Sequence, residues 1–302
     1  MSQVWKKAIG LGIESVFATE VLPTIHLCSF GSSTLNTKPT YIQVSGTKQS
    51  RGKIDSVIGA AVVGGDLSDW EVRPDELDAV LEAAMGTKTG GPAPAAIVFT
   101  LKDGVLPSMT VEETKADAFG MIHSGVKINE MAFSVGINTI LVANIGMVGR
   151  LTRTVALGAL AAPTYTTKRP WIMHRGVLKR GAVEIKVFSW EMTLNNNLKA
   201  PNFTSGSLYS ENHSEGVREV TGSFTMDTAD KTQLDEVLGS TEATLEFTFT
   251  NGTQTLLWEF PKVIFEELDF DEEDQDLVQN INFTAYRVHS TDTNEFKITI
   301  TG

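Results

Sequence analysis

Residues able to do chemistry are sparse in this sequence. Five histidines are present, His26, His123, His174, His213 and His289, and none stands in a His-x-x-His or His-Glu-x-x-His spacing. No single helix would therefore bring two imidazoles to one metal ion. His26-Leu27-Cys28 places two ligand types on one strand face, but a surface histidine beside a half-buried thiol is the plainer reading. The acidic run of Asp269, Asp271, Glu272, Glu273, Asp274 and Asp276 is the densest cluster of oxygen donors. A calcium loop needs set ligand spacings and a turn-making glycine. That glycine is missing and strands are predicted on both sides, so the run reads as a solvated hairpin turn. Paired carboxylates also do acid–base work in hydrolases, yet Asp271 and Asp274 have no visible cleft partner. No nucleophile elbow, P-loop or kinase signature occurs. Gly10-Leu11-Gly12 lacks the preceding strand and third glycine of a dinucleotide site. The reading assigns no catalytic residue, no cofactor-binding residue, no metal ligand and no cofactor.

Composition narrows the classes further. A formal net charge of −12 disfavours tight sequence-independent DNA binding. It is compatible with DNA passing close to an acidic wall that repels phosphate. The single cysteine, Cys28, excludes an intrachain disulfide and fits assembly in a reducing cytoplasm. Lys6 and Lys7 are not followed by a long apolar run, so no signal peptide is expected. Apolar stretches such as residues 155–162 are too short for a membrane anchor. An apolar fraction of 41% over 302 residues supplies material for two modest cores.

The elements that would hold any site come in two similar sets. Glu76-Leu77-Asp78-Ala79-Val80-Leu81 returns as Gln233-Leu234-Asp235-Glu236-Val237-Leu238, 157 residues later. The stretch from Ala95 to Gly104 returns from Ala243 to Gly252, 148 residues later. A nearly constant shift indicates one unit present twice. In the first unit, Tyr41 to Ser45 alternates as a strand, and a second strand at residues 60–67 is broken by Gly64-Gly65, where a bulge is expected. Pro74 and acidic neighbours start a helix that buries Leu77, Val80, Leu81 and Ala84 and stops at Gly86. Lys102-Asp103-Gly104 reads as a hairpin turn. In the second unit, Phe188, Trp190, Met192 and Leu194 share one strand face. Asp230 with Gln233 has the form of a capping box. Leu245, Phe247 and Phe249 alternate into Asn251-Gly252, the strongest short hairpin signal.

The resulting division is an N-terminal arm at residues 1–38, a first β domain at 39–150, a linker at 151–180 and a second β domain at 181–302. From the hairpin turn to the next matched strand is 24 residues in the first unit (128−104) and 13 in the second (265−252). The surplus marks residues 105–125 as a long loop, and long loops in compact domains are commonly functional. The linker is basic (Arg150, Arg153, Lys168, Arg169, Arg175, Lys179, Arg180), which suits pairing with acidic surface on a neighbouring subunit. Strand aromatics, Phe188, Trp190, Phe247, Phe249, Trp258, Phe260, Phe265, Phe270 and Phe283, read as core, with any exposed member an oligomer contact.

The chain resembles the tail tube proteins (major tail proteins) of long-tailed bacteriophages. The resemblance is carried by Gly10-Leu11-Gly12-Ile13-Glu14, by Gly64-Gly65-Asp66-Leu67, by the short helix ending at Gly86 and by the closing module at residues 220–302. It implies a mainly β fold of two tandem β-sandwich or barrel domains of tail-tube type, each with one short flanking helix. It implies a structural virion protein, not an enzyme, that polymerises into stacked rings as a conduit for genome ejection. Three chains with two units each would close a pseudo-hexameric ring. The implied partners are further copies of the chain and other tail proteins (tape measure, tail terminator, baseplate or tip), with DNA passing through the lumen. Its place would be the virion tail, after assembly in the host bacterial cytoplasm. Residues 105–125 would be the arm that joins rings, and that segment or residues 1–35 would stay disordered until it meets a partner. A β-sandwich binding module at a tail tip or surface assembly is the alternative, and a soluble hydrolase a more distant one.

Overall fold

The computed structural model describes residues 6–45, 53–91, 95–199, 201–228, 232–273, 276–289 and 294–302. Strand makes up 57% of the chain and helix 7%, so the protein is mainly β. In chain order the first half holds β1 (Ile9–Ile13), β2 (Ile25–His26), β3 (Ser32–Ser33), β4 (Asn36–Val44), β5 (Asp55–Glu71), α1 (Leu77–Met85), β6 (Gly86–Gly90), β7 (Ile97–Leu101), β8 (Met109–Lys115), β9 (Phe119–Gly136) and β10 (Val142–Gly149). Then come β11 (Leu151–Val155), short 3-10 turns at Leu157–Ala159 and Met173–Arg175, β12 (Gly176–Arg180), β13 (Val183–Ile185) and β14 (Val187–Asn195). The closing part holds β15 (Glu219–Asp227), α2 (Thr232–Gly239), β16 (Glu242–Asn251), β17 (Gln254–Glu273), β18 (Asp276–Ala285) and β19 (Lys297–Thr301).

One antiparallel ladder runs the width of the molecule. β3 and β4 lie on β5, and the order continues β5–β10–β9–β14–β15–β18–β17. Two strands leave this ladder partway. β9 bends at Gly125, whose φ of 66° is one a side chain rarely adopts. Before the bend it pairs with β8 and β11, and β8 carries β1. The first part of β17 pairs with β16 and β19. Beyond these lie β12 and β13 on one side, and β7 and β6 on the other. This second layer packs under the ladder through aromatic rings, with Trp190 5.0 Å from Phe247 and 5.8 Å from Phe260, and Phe133 5.1 Å from Trp258. The apolar cluster is contiguous from Ile9 to Ile300 and draws on both halves of the chain.

Local sequence explains the elements that set this frame. Trp190, Met192 and Leu194 are buried on one side of β14, while Glu191 is exposed on the other. Asn251-Gly252 closes the β16–β17 hairpin, with Asn251 opposite Gln254 and Gly252 at φ 66°. α1 ends at Gly86, left-handed at φ 87°, whose N–H returns to the Glu82 carbonyl. A Cβ at Gly65 would sit 2.5 Å from the Thr34 backbone, so that glycine permits a close crossing of chains.

Several expectations are revised. Residues 105–125 are not a long loop: they hold β8 and the start of β9, largely buried. The N-terminal segment is not an irregular arm either, because β1 is a buried strand whose Ile9–Ile13 pairs with Met109–Glu113 of β8. The two stretches expected to reach outward thus satisfy each other's backbone groups. Lys102-Asp103-Gly104 closes no hairpin: β7 pairs back with β6 and across with β19, while β8 pairs with β9. The β6–β7 hairpin stands between α1 and β8, and β8 precedes the long β9 as β16 precedes the long β17. The expected bulge at Gly64-Gly65 is absent, and β5 shifts register instead around Ser68–Asp69 and near Pro39. The stretch at 151–180 contains β11 and β12, with a 3-10 turn ahead of Pro163. Asp230 of the capping box lies outside the described residues.

Candidate functional site: a polar wall and two open edges

Cross-strand register arranges the outward residues of the ladder in rows. One row runs Asp66, Gly146, Glu130, Asn195, Glu219. A second runs Glu71, Val142, Ser134, Glu191, Ser223, Asn282, Glu267. Others run Asn144, Ala132, Thr193, Thr221, Thr284 and Gly136, Ser189, Thr225, Asn280, Asp269. Seven neighbouring strands thus share a face of carboxylates and small, mostly polar positions (Val142 and Ala132 are the apolar ones), without a lysine or arginine in these rows. Like charges held on one sheet face repel a polyanion and give it nothing to grip. The opposite face is the aromatic core.

The ladder ends in two open edges. Beyond Phe265, β17 pairs with β18 alone, and Phe270 there is 48% exposed. At the other end, β4 and the facing part of β5 form an exposed hairpin bearing Tyr41, Ile42, Val44, Val57 and Ile58. Apolar groups grouped on an unpaired edge mark an association surface.

Buried polar groups tie the bend of β9 to its surroundings. The Glu14 carboxylate accepts from Ser108 Oγ (2.6 Å), Thr110 Oγ1 (2.8 Å), Ala18 N–H (2.8 Å) and Gly125 N–H (2.9 Å). Lys127 Nζ donates to the His213 carbonyl (2.9 Å) and to Glu215 (2.8 Å). Burial alone would push Glu215 up, but the Lys127 ammonium and the Leu106 N–H together hold it below the usual range. Burial pushes His213 down, toward the neutral ring. Burial raises Glu76, against the donated Trp70 Nε1–H and Cys28 N–H. On the surface, Asp103 takes Arg287 and Arg218, both at 2.7 Å, which lowers its pKa, and Arg218 also reaches Glu295 at 3.0 Å. Glu14, Glu76, Lys127 and His213 brace the fold, while Asp103, Glu215, Arg218, Arg287 and Glu295 line one open cleft in which the charges are paired with one another or with Lys127. Apart from Ala18, the partners of Glu14 and Lys127 lie 94 to 111 and 86 to 88 residues away, so these networks had no spacing signal.

The candidate residues disperse accordingly. His26 is buried against Tyr165 and Cys28 is exposed, the reverse of the expected pair. The acidic run lies at the β17–β18 hairpin end, with residues 274–275 outside the described set. Among the described residues, no group of three or more His, Cys, Asp or Glu side chains is placed to hold a metal ion. The strand aromatics are core apart from half-buried Phe188 and exposed Phe270. Part of the basic stretch is spent within the chain, Arg153 on Glu20 and Lys168 on Asp75. Among the described residues no helix is long and apolar enough to cross a membrane.

A mainly β frame with a charged sheet face and open edges fits a structural role. The family model of phage tail tube proteins matches residues 5–285, and the chain belongs to that family. It is a structural component of a bacteriophage virion tail. Among curated proteins no match is found.

Proposed function

We propose that this chain polymerises into stacked rings that form the tail tube, with the carboxylate rows as the lumen wall and the genome passing through during ejection. The observation that carries the reading is the seven-strand face bearing Asp66, Glu71, Glu130, Glu191, Glu219, Glu267 and Asp269, with no cation in the four rows that hold them and with the nearby Arg73 and Lys127 spent on Glu71 and Glu215. Such a wall lets DNA slide because no phosphate finds a partner. Each chain contributes two tube-type units, and three chains close a ring by head-to-tail contacts. The apolar β4–β5 hairpin takes the ring-joining role first expected of residues 105–125. Assembly takes place in the host cytoplasm, other tail proteins cap the two ends, and the chain performs no catalysis. Negative-stain electron microscopy of concentrated protein should reveal rings and tubes. Cryo-EM averages with six chains per ring would reject the trimer, and a monomer at every concentration would reject the tube.

A further inference from the structure

The junction inside the chain shows how one chain meets the next. Both long strands carry the same irregularity. Glu130 pairs with Gly146 and Ile128 with Met147, which leaves Asn129 unpaired against β10. Glu267 pairs with Asn282 and Phe265 with Phe283, which leaves Glu266 unpaired against β18. Met147 then lies opposite Gly65, and Phe283 opposite Gly222. Through these anchors β9 maps onto β17 and β5 onto β15. The neighbours follow, β8 and β11 onto β16 and β19, and β3–β4 onto β14. Inside the chain the first unit meets the second where β9 takes β14, with Glu130 opposite Asn195, Ala132 opposite Thr193 and Phe133 opposite Met192. The matching edges at the two ends of the ladder, β17 and β3–β4, have no such partner among the described residues.

Resting on the ring reading above, we infer that β17 of one chain pairs antiparallel with β3–β4 of a second copy, in the register Glu267 opposite Lys38, Asp269 opposite Asn36 and Phe270 opposite Leu35. Three features fit this occupant. Lys38 is an exposed cation on the polar face of the β4 edge, and it arrives against the carboxylates Glu267 and Asp269. Phe270 is exposed where Phe133, at the same distance beyond the unpaired residue, is covered by β14 and the layer beneath. Leu238 of α2 is exposed where Leu81 of α1 is buried, and Asn196 beside β14 donates through its Nδ2 to the Ala84 carbonyl in the last turn of α1. A second copy would supply both missing covers. The ladder between chains is one bond shorter than the internal one. Asn196 N–H donates to the Asn129 carbonyl at 2.7 Å, and the position that maps onto Asn196 is Pro39, which has no N–H.

The register can be trapped. With Asn196 and Asn129 a hydrogen-bonded pair, the Asn36/Asp269 and Lys38/Glu267 pairs fall at non-hydrogen-bonded sites, where Cα atoms stand about 4.5 Å apart, within reach of a disulfide. In a Cys28→Ser background, Asn36→Cys with Asp269→Cys, or Lys38→Cys with Glu267→Cys, should give covalent two- and three-chain species on oxidation. The diagonal combination of Asn36→Cys with Glu267→Cys, about 7–8 Å apart, should not. Glu267→Lys should abolish ring formation with the far-ultraviolet circular dichroism unchanged, and adding Lys38→Glu should restore it. Rings that form while both matched pairs stay unlinked, or while the diagonal pair links as readily, would overturn the register and leave the tube reading standing. Wild-type protein that forms no ring would defeat the tube reading. The oxidation assay at the same concentrations still reads the edge contact, and no cross-link there overturns the register.

Discussion

Phe133 and Phe270 each stand four residues past an unpaired residue in a long bent strand, and each points to the core side of the ladder. Phe133 is 1% exposed and Phe270 48%. The same contrast separates the two helices. Leu81 in α1 is fully buried and Leu238 in α2 is 76% exposed. Neither difference follows from residue type. It follows from position: the inner strand and helix have the rest of the chain beside them, while the outer pair stand at the end of a ladder. The outer half has the surface of an unfinished core, one that the proposed assembly would complete.

The largest expected effect tests that contrast directly. Phe133→Ala should destabilise the monomer by about 3–5 kcal/mol, read by urea unfolding. Phe270→Ala should leave monomer stability within about 0.5 kcal/mol and instead weaken ring formation. Equal losses of monomer stability would erase the distinction. Next, Leu81→Ala should cost on the order of 3 kcal/mol by cavity formation. Leu238→Ala should cost little in the monomer, yet lower the thermal midpoint of assembled tubes.

The buried Lys127 supplies a third test. Glu215→Ala strands an ammonium that is 1% exposed and should cost about 3 kcal/mol. Lys127→Met with Glu215→Ala should recover much of that, because the desolvated charge is gone. The pH profile is the subtler measure. The folded pKa of His213 lies below the ordinary 6.5, so the unfolded chain binds this proton first. Its contribution is complete above about pH 6.5 and is lost as pH falls toward the folded value. Glu215 is held below 4.5, so its contribution is present above that value and is lost as pH falls through the folded pKa. Denaturant unfolding between neutral and acid pH should decline in these two windows, and a flat profile would refute both assignments. The smallest effect on stability is expected at the wall. Glu191→Lys should leave the unfolding midpoint within about 0.5 kcal/mol of wild type and slow genome ejection from particles that carry it.

Much of the fold was legible locally. The Asn251-Gly252 hairpin, the stop at Gly86 and the alternation of Trp190, Met192 and Leu194 rest on turn geometry and strand period, which neighbouring residues set by themselves. The Leu77 to Leu234 match located both helices. The match of Ala95–Gly104 with Ala243–Gly252 misled, because two strands with similar alternation occupy different places in the ladder. Residues 105–125 looked like an arm for a related reason. Met109–Lys115 pairs on one side with the adjacent β9 and on the other with Ile9–Ile13, roughly a hundred residues away, and no local pattern announces that second partner. The wall carboxylates were visible only as net charge.

By itself the sequence determined composition, charge, the turns and helix stops, and the face each strand turns inward, because these depend on residues within a few positions of one another. The tertiary structure alone decided which strands are neighbours, that the carboxylates share one face, and that one end of the ladder is covered while the other stays open. Register between distant strands is set by long-range packing, and only that packing brings Asp66, Glu130 and Glu219 into one row.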